Sequence, residues 1–126
     1  MSKKILIVDD EPHLRMLIQQ TLEDLEDEGV ELLTATNGEE AIEVIRAEQP
    51  QLVFLDVMMP KKNGFDVCQA VKHEMGMTGV HIILLTAKGQ EFDRQKGQEV
   101  GADLYMTKPF DPDALLAKAR EVLGLV

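Results

Sequence analysis

The chain has 126 residues, enough for one ordinary domain and too few for two, and it reads as a single domain over 1–126. Its 44% hydrophobic and 29% charged residues exclude the compositions of disordered chains. Thirteen Lys and Arg against 23 Asp and Glu leave a net charge of −10, which a duplex phosphate backbone would repel, so direct nucleic-acid binding by this domain is disfavoured.

The opening Met1-Ser2-Lys3-Lys4 leads into no long apolar segment of the kind a signal peptide carries. No apolar run approaches the ~20 residues of a membrane span. A single cysteine, Cys68, has no internal disulfide partner and fits a reducing compartment. The expectation is a soluble, cytoplasmic chain with no membrane partner.

In chain order, Ile5-Leu6-Ile7-Val8 is a continuous β-branched run suited to a strand buried on both faces. Asp10 and Pro12 then predict a helix start, with Asp10 as the capping carboxylate and Pro12 in the first turn. Leu14, Leu17, Ile18, Thr21, Leu22 and Leu25 recur at steps of three and four, giving the first helix its inner face. Glu31 to Ala35 is a weaker, edge-like strand, ending in a plain Thr36-Asn37-Gly38 turn. Asn37 with Glu40 three residues on predicts a capping-box-like start to the second helix, whose Ala41, Val44 and Ile45 face inward.

Leu52-Val53-Phe54-Leu55 is a third buried strand, and Phe65, Cys68 and Val71 mark a third helix, with Cys68 a core residue. Val80 to Leu85 is the fourth strand. Gly89 to Gln98 would be a helix poor in apolar residues, anchored mainly by Phe92 and therefore loosely held. Asp103-Leu104-Tyr105-Met106 is a second edge-like strand. Asp111-Pro112-Asp113 opens the last helix, with Leu115, Leu116, Ala119, Val122 and Leu123 as its stripe. Five strands alternating with five helices predict an α/β fold, a single doubly wound parallel sheet with right-handed crossovers.

Open α/β sheets bind ligands beyond the carboxyl ends of their strands. The residues just past the apolar runs are Asp9 and Asp10, then Asp56, Thr86, and Lys108 before Pro109. Three carboxylates in one place repel, which raises their proton affinity or calls for a cation between them. All-oxygen ligands with room for water suit Mg²⁺ better than Zn²⁺, and no Cys or His lies at these ends. One carboxylate can serve as a nucleophile, with Lys108 and a metal neutralising a transferring phosphoryl group and Thr86 donating a hydrogen bond to it. Taken singly, each residue has a plainer role: Asp9 and Asp10 as caps, Asp56 as a turn acid, Thr86 as a cap, Lys108-Pro109 as a surface loop. Their conjunction, each at the end of its own strand, favours the functional role.

These residues carry a specific likeness. Ile5-Leu6-Ile7-Val8-Asp9-Asp10-Glu11-Pro12, Leu55-Asp56-Val57-Met58-Met59-Pro60 with Asn63-Gly64, Leu85-Thr86-Ala87, and Gly101 to Phe110 together resemble the receiver domains of bacterial response regulators, over essentially the whole chain. The resemblance implies a flavodoxin-like strand order 2-1-3-4-5 and a phosphorylation-activated switch. By that likeness Asp56 is the phosphoacceptor, supplied by the phosphohistidine of a histidine kinase or by a phosphotransfer protein. Asp10, Asp56 and the backbone carbonyl of Met58 are the implied ligands of Mg²⁺, with Mn²⁺ as a substitute, and Asp9 acts through water. Thr86, Lys108 and the Ala87 backbone would contact the phosphoryl group, and Thr86 with Tyr105 would form the switch that repacks the face of the fourth helix, fifth strand and fifth helix. A cis Lys108-Pro109 bond is typical of such domains.

Met58 and Lys88 flank the reacting group and are the expected modulators of its hydrolysis, giving a phosphorylated state that lasts minutes or longer. Arg94, Glu99, Asp103 and Lys118 have signs suited to ion pairs across a phosphorylation-dependent homodimer, although Ala114 stands where an acidic partner for Arg94 is expected; monomer and dimer both stay open. His13, His73 and His81 do not cluster.

Among other functions, a Mg²⁺-dependent phosphohydrolase with an aspartyl nucleophile would place its nucleophile and acid two residues apart after the first strand, unlike the adjacent Asp9 and Asp10. A nucleotide-binding module would need a glycine-rich phosphate loop, which the chain lacks. A pure interaction domain would not need the full acid set. The expectation is a switch that catalyses only its own phosphorylation and dephosphorylation, not a turning-over enzyme.

Overall fold

A computed structural model describes residues 3–87, 91–108 and 110–125, with the side chains of Ala87 and residues 91–94 left aside. Its elements run β1 (Lys3–Val8), α1 (Pro12–Leu22), a 3-10 segment (Glu23–Glu28), β2 (Val30–Ala35), α2 (Gly38–Glu48), β3 (Leu52–Asp56), α3 (Gly64–Gln69), β4 (His81–Ala87), α4 (Glu91–Glu99), β5 (Leu104–Lys108) and α5 (Pro112–Leu123). The five strands pair in parallel in the order β2-β1-β3-β4-β5.

The alternation of strand side chains sorts the core into two layers. Leu6, Val8, Val53, Leu55, Ile82 and Leu84 face one side and pack on Ala41 and Ile45 of α2 and on Val67 and Cys68 of α3. Ile5, Ile7, Leu52, Phe54, Ile83 and Leu85 face the other side and meet Ile18 and Leu22 of α1 and Leu115, Ala119 and Leu123 of α5. All five residues of β3 are buried, while the edge strands β2 and β5 are partly exposed. The continuous apolar runs of β1, β3 and β4 thus reflect helices on both faces of the sheet.

The helix starts differ from the expectation in detail. At α1 the N-cap is Glu11, without a side-chain cap bond; Asp10 caps nothing, and it is Asp9 Oδ1 that accepts from the Glu11 amide at 2.9 Å. At α2, Asn37 accepts from the Glu40 amide as expected, but Glu40 does not close the box, because its carboxylate takes the Thr36 hydroxyl at 2.9 Å. The complete capping box lies at α3, between Asn63 and Asp66. At α5 the Asp111 side chain caps the first turn.

Beyond α3 the helix widens into a π-helical turn, Ala70–Glu74, that carries Lys72 into the core. Its ammonium donates to the carbonyls of Thr78 (3.3 Å) and Val80 and to Asp103 Oδ2 (2.9 Å), and the same Asp103 oxygen accepts the Ile82 amide at 2.8 Å. This group ties the turn after α3 to the beginnings of β4 and β5. Lys72→Ala strands the Asp103 carboxylate and is expected to cost about 2 kcal/mol, below the ~3–5 kcal/mol of a fully buried pair because Asp103 keeps some contact with water. The drop is read from urea unfolding.

Candidate functional site

The strand order turns back between β1 and β3, so the crevice beyond their carboxyl ends is where such a sheet binds ligands. Asp9 and Asp10 follow β1 directly, and Asp56 is the last residue of β3. One carboxylate oxygen from each lies within 4.8 Å of the others. Lys108, the last residue of β5, donates to Asp56 Oδ1 at 3.0 Å and to Asp9 Oδ2 at 3.4 Å. The successive crossovers of the sheet therefore bring together residues up to 99 positions apart.

The three acids sit in different surroundings. Asp9 is fully buried, Asp56 is 5% exposed, and Asp10 faces solvent. Asp9 Oδ1 is held by the Glu11 amide, Oδ2 by Lys108, and its backbone carbonyl accepts from Arg15 Nη1 at 2.8 Å. Arg15 escaped the sequence reading; its only signal was a cation one helical turn past the acid pair.

Burial pushes the Asp56 carboxyl up to about 6, and the charges of Asp9 and Asp10 add to the rise, while the hydrogen bond and charge of Lys108 oppose it. For Lys108, burial favours the neutral amine, but the hydrogen bond to Asp56 and the charges of Asp56 and Asp9 outweigh it and hold its pKa above 10.5. One ammonium cannot balance three carboxylates. An all-oxygen donor set of this size, with one member open to solvent, fits a hard divalent cation of the Mg²⁺ type, which Asp9, Asp10 and Asp56 together could hold.

Thr86 lies inside β4 rather than past its end; it is buried, opposite Thr107 of β5. Ala87 pairs with Lys108 in the same ladder. Tyr105, half-buried on β5 opposite Leu84, borders a cavity of about 290 Å³ with Gly97, Gln98 and Ala102. The approach of α4 to that ring is close: a Cβ at Gly97 would lie 3.1 Å from Leu84 Cδ1 and 3.5 Å from the Tyr105 ring. The Met58 side chain, two residues past Asp56, is 75% exposed at the rim. Lys88 and the Lys108-Pro109 bond lie outside the described residues.

Among the four charges suggested for a dimer face, Asp103 is engaged within the chain by Lys72 and the Ile82 amide, and Lys118 pairs with Glu121 at 3.1 Å. Glu99 is exposed, and the Arg94 side chain is outside the described residues. Cys68 is buried, which pushes its thiol up to about 12 and leaves it unreactive.

A family model described as the response regulator receiver domain matches residues 5–120. The chain belongs to that family. It is 50% identical over 122 residues to a probable transcriptional regulator, ycf27, of Pyropia yezoensis, covering 97% of this chain and 48% of that protein. Over 123 residues it is 45% identical to the alkaline phosphatase synthesis transcriptional regulatory protein PhoP of Bacillus subtilis, covering 98% of this chain and 49% of that protein. The chemotaxis protein CheY4 of Vibrio cholerae superposes with a TM-score of 0.83 at 32% identity, covering 97% of this chain and 99% of that one. The receiver domain thus spans about half the length of the curated relatives it matches.

The raised Asp56 pKa fixes a sign for stability. Between its ordinary 3.8 and about 6 the folded receiver domain binds more protons than the unfolded chain, so this group's contribution to stability falls as pH rises through that window. In metal-free buffer, thermal melts of Asp56→Asn are expected to gain on those of the wild type from pH 4 to pH 6 and to run parallel above it.

Proposed function

We propose that this receiver domain is a phosphorylation-activated switch in which Asp56 takes a phosphoryl group from a phosphohistidine of a histidine kinase or phosphotransfer protein. The reading is carried by one observation above the others: a single ammonium, Lys108, bridging two of three clustered carboxylates at the carboxyl edge of the sheet. An Asp56 oxygen attacks phosphorus, the P–N bond to the donor imidazole breaks, and the imidazole nitrogen keeps the electron pair and takes up a proton. The product is an acyl phosphate on Asp56.

In this mechanism the protein mainly positions groups and stabilises charge. Bound Mg²⁺ supplies positive charge that offsets repulsion between the acids and the incoming phosphoryl oxygens; Mn²⁺ shares the oxygen preference and would substitute. Asp10 and Asp56 would hold it, with the Met58 backbone carbonyl as a further donor, and Asp9 would act through water. Lys108 keeps an N–H directed at the Asp56 carboxylate and would follow the transferred charge. The Ala87 amide and the Thr86 hydroxyl are the remaining donors to the phosphoryl oxygens.

The switch follows from packing. Thr86 drawn toward a phosphoryl oxygen alters the space beside β5, where Tyr105 lies against α4. Repacking of α4, β5 and α5 then biases what this face binds. The relatives are named as transcriptional regulators of about twice this length. We infer that the domain controls an effector of that kind, with nucleic acid bound elsewhere than on this acidic domain. Glu99 and Lys118 remain candidates for a homodimer contact along that face, with Arg94.

The test is incubation with acetyl phosphate and Mg²⁺ followed by intact-mass measurement. One adduct of about 80 Da, the mass of a single phosphoryl group, is expected on the wild type and none on Asp56→Asn. Many cycles of hydrolysis of an added phosphoester in excess over the protein would instead mark an ordinary phosphatase.

Met58, two residues past Asp56 and with its side chain exposed, is the candidate for hindering the water that would attack the acyl phosphate. The adduct is expected to persist for minutes after the donor is removed and to decay several-fold faster in Met58→Asn, followed by the same mass measurement. Decay of the wild type within seconds would remove Met58 from any kinetic role.

A further inference from the structure

The loop between β3 and α3 is held by two close backbone approaches. A Cβ at Gly64 would lie 2.6 Å from the Asp56 carbonyl oxygen and 2.9 Å from Val57 Cα. At Gly38, the first residue of α2, it would lie 2.0 Å from the Lys62 carbonyl oxygen and 2.6 Å from Lys62 Cβ, the tightest of the described glycines. Between these clamps the chain takes an uncommon path: Lys61 has φ of +70°, and the Gly64 amide donates to the Val57 carbonyl at 2.9 Å.

Glycine at Gly38 has no local reason. Its φ is not positive, so the backbone does not require it, and Asn37 already caps the helix. Glycine inside a helix is a poor choice on conformational entropy alone. The missing side chain is therefore explained by what passes over it, the Lys62 backbone. Gly79, with nothing within 4 Å of its Cβ position, marks the contrast.

We propose that Gly38 is a positioning residue for the phosphoacceptor loop. The bare first turn of α2 is the wall that sets the path of residues 57–63, and with it the reach of the Met58 backbone toward Asp10 and Asp56. This rests on the phosphoacceptor reading above. A methyl group at residue 38 pushes Lys62 outward and displaces the loop while leaving the acids on their strands.

The experiment follows amide chemical shifts and thermal melts of the whole chain during titration with magnesium chloride, then phosphorylation by acetyl phosphate at saturating Mg²⁺. Gly38→Ala is expected to weaken Mg²⁺ binding about tenfold, the scale seen when groups that orient metal ligands are lost, and to slow phosphorylation. Gly79→Ala is expected to change neither. Lys62→Gly in the Gly38→Ala background, which removes the second clash and frees the backbone, is expected to restore much of the affinity.

In the wild type, the Gly38 and Glu39 amides should shift with the same midpoint as Met58 to Asn63, a result that needs no variant to fold. A folded Gly38→Ala with wild-type Mg²⁺ affinity overturns the proposal, as does a wild-type Gly38 amide that stays fixed through the titration. Absence of both Mg²⁺ shifts and the phosphoryl adduct in the wild type would instead bring down the phosphoacceptor reading, and this inference with it.

Discussion

Three carboxylate oxygens within 4.8 Å of one another, with one ammonium among them, is an arrangement that repels itself. Nothing local to any of these residues would gather them. What holds them is the covered parallel sheet: β1 and β3 lie side by side, buried on both faces, and their ends cannot separate without breaking the ladder and opening both core layers. The apolar runs of β1, β3 and β4 and the unstable charge cluster are thus two aspects of one constraint. Burial, with the charges of Asp9 and Asp10 added to it, raises the pKa of Asp56 against the pull of Lys108.

The molecule is not equally firm on its two sides. β3 is buried along its whole length, whereas every described residue of β5 has some exposure. The acids stand on the firm strands; Lys108 and Tyr105 stand on the outer one. The cation beside Asp56 thus stands on the less buried strand. A side chain at residue 97 would meet Leu84 and the Tyr105 ring, so α4 lies close to that ring.

The strands and the acids at their ends were legible because each depends on one residue's position relative to a short apolar run, whereas the strand order came only with the family likeness. Asp56 and Lys108 could be found that way even though they are 52 positions apart. Other features depend on what a distant segment does. Gly38 looked like part of a plain turn, since the Lys62 backbone that explains it lies on another loop. Lys72 gave no signal in the sequence; the π-helical turn carries it to Asp103, which had been read as a charge for a partner subunit. Asp10 was mistaken for a helix cap because an acid before Pro12 satisfies that pattern equally well, and only the fold shows the cap position falling on Glu11.

The adjacent pair Asp9-Asp10 illustrates how one dipeptide supplies two electrostatic environments. Asp9 is wholly buried, with one oxygen on the Glu11 amide, the other on Lys108, and its carbonyl on Arg15. Asp10 faces solvent at the open side of the cluster. An acid whose oxygens are already engaged is poorly placed to bind an ion directly, yet it fixes the ammonium beside Asp56. Its exposed neighbour retains the lone pairs and access that an exchanging hydrated cation needs. Exchanging the two environments would leave composition and charge unchanged and would deprive Lys108 of its buried anchor, so the order of burial within the pair, more than the presence of two acids, determines what the site can do.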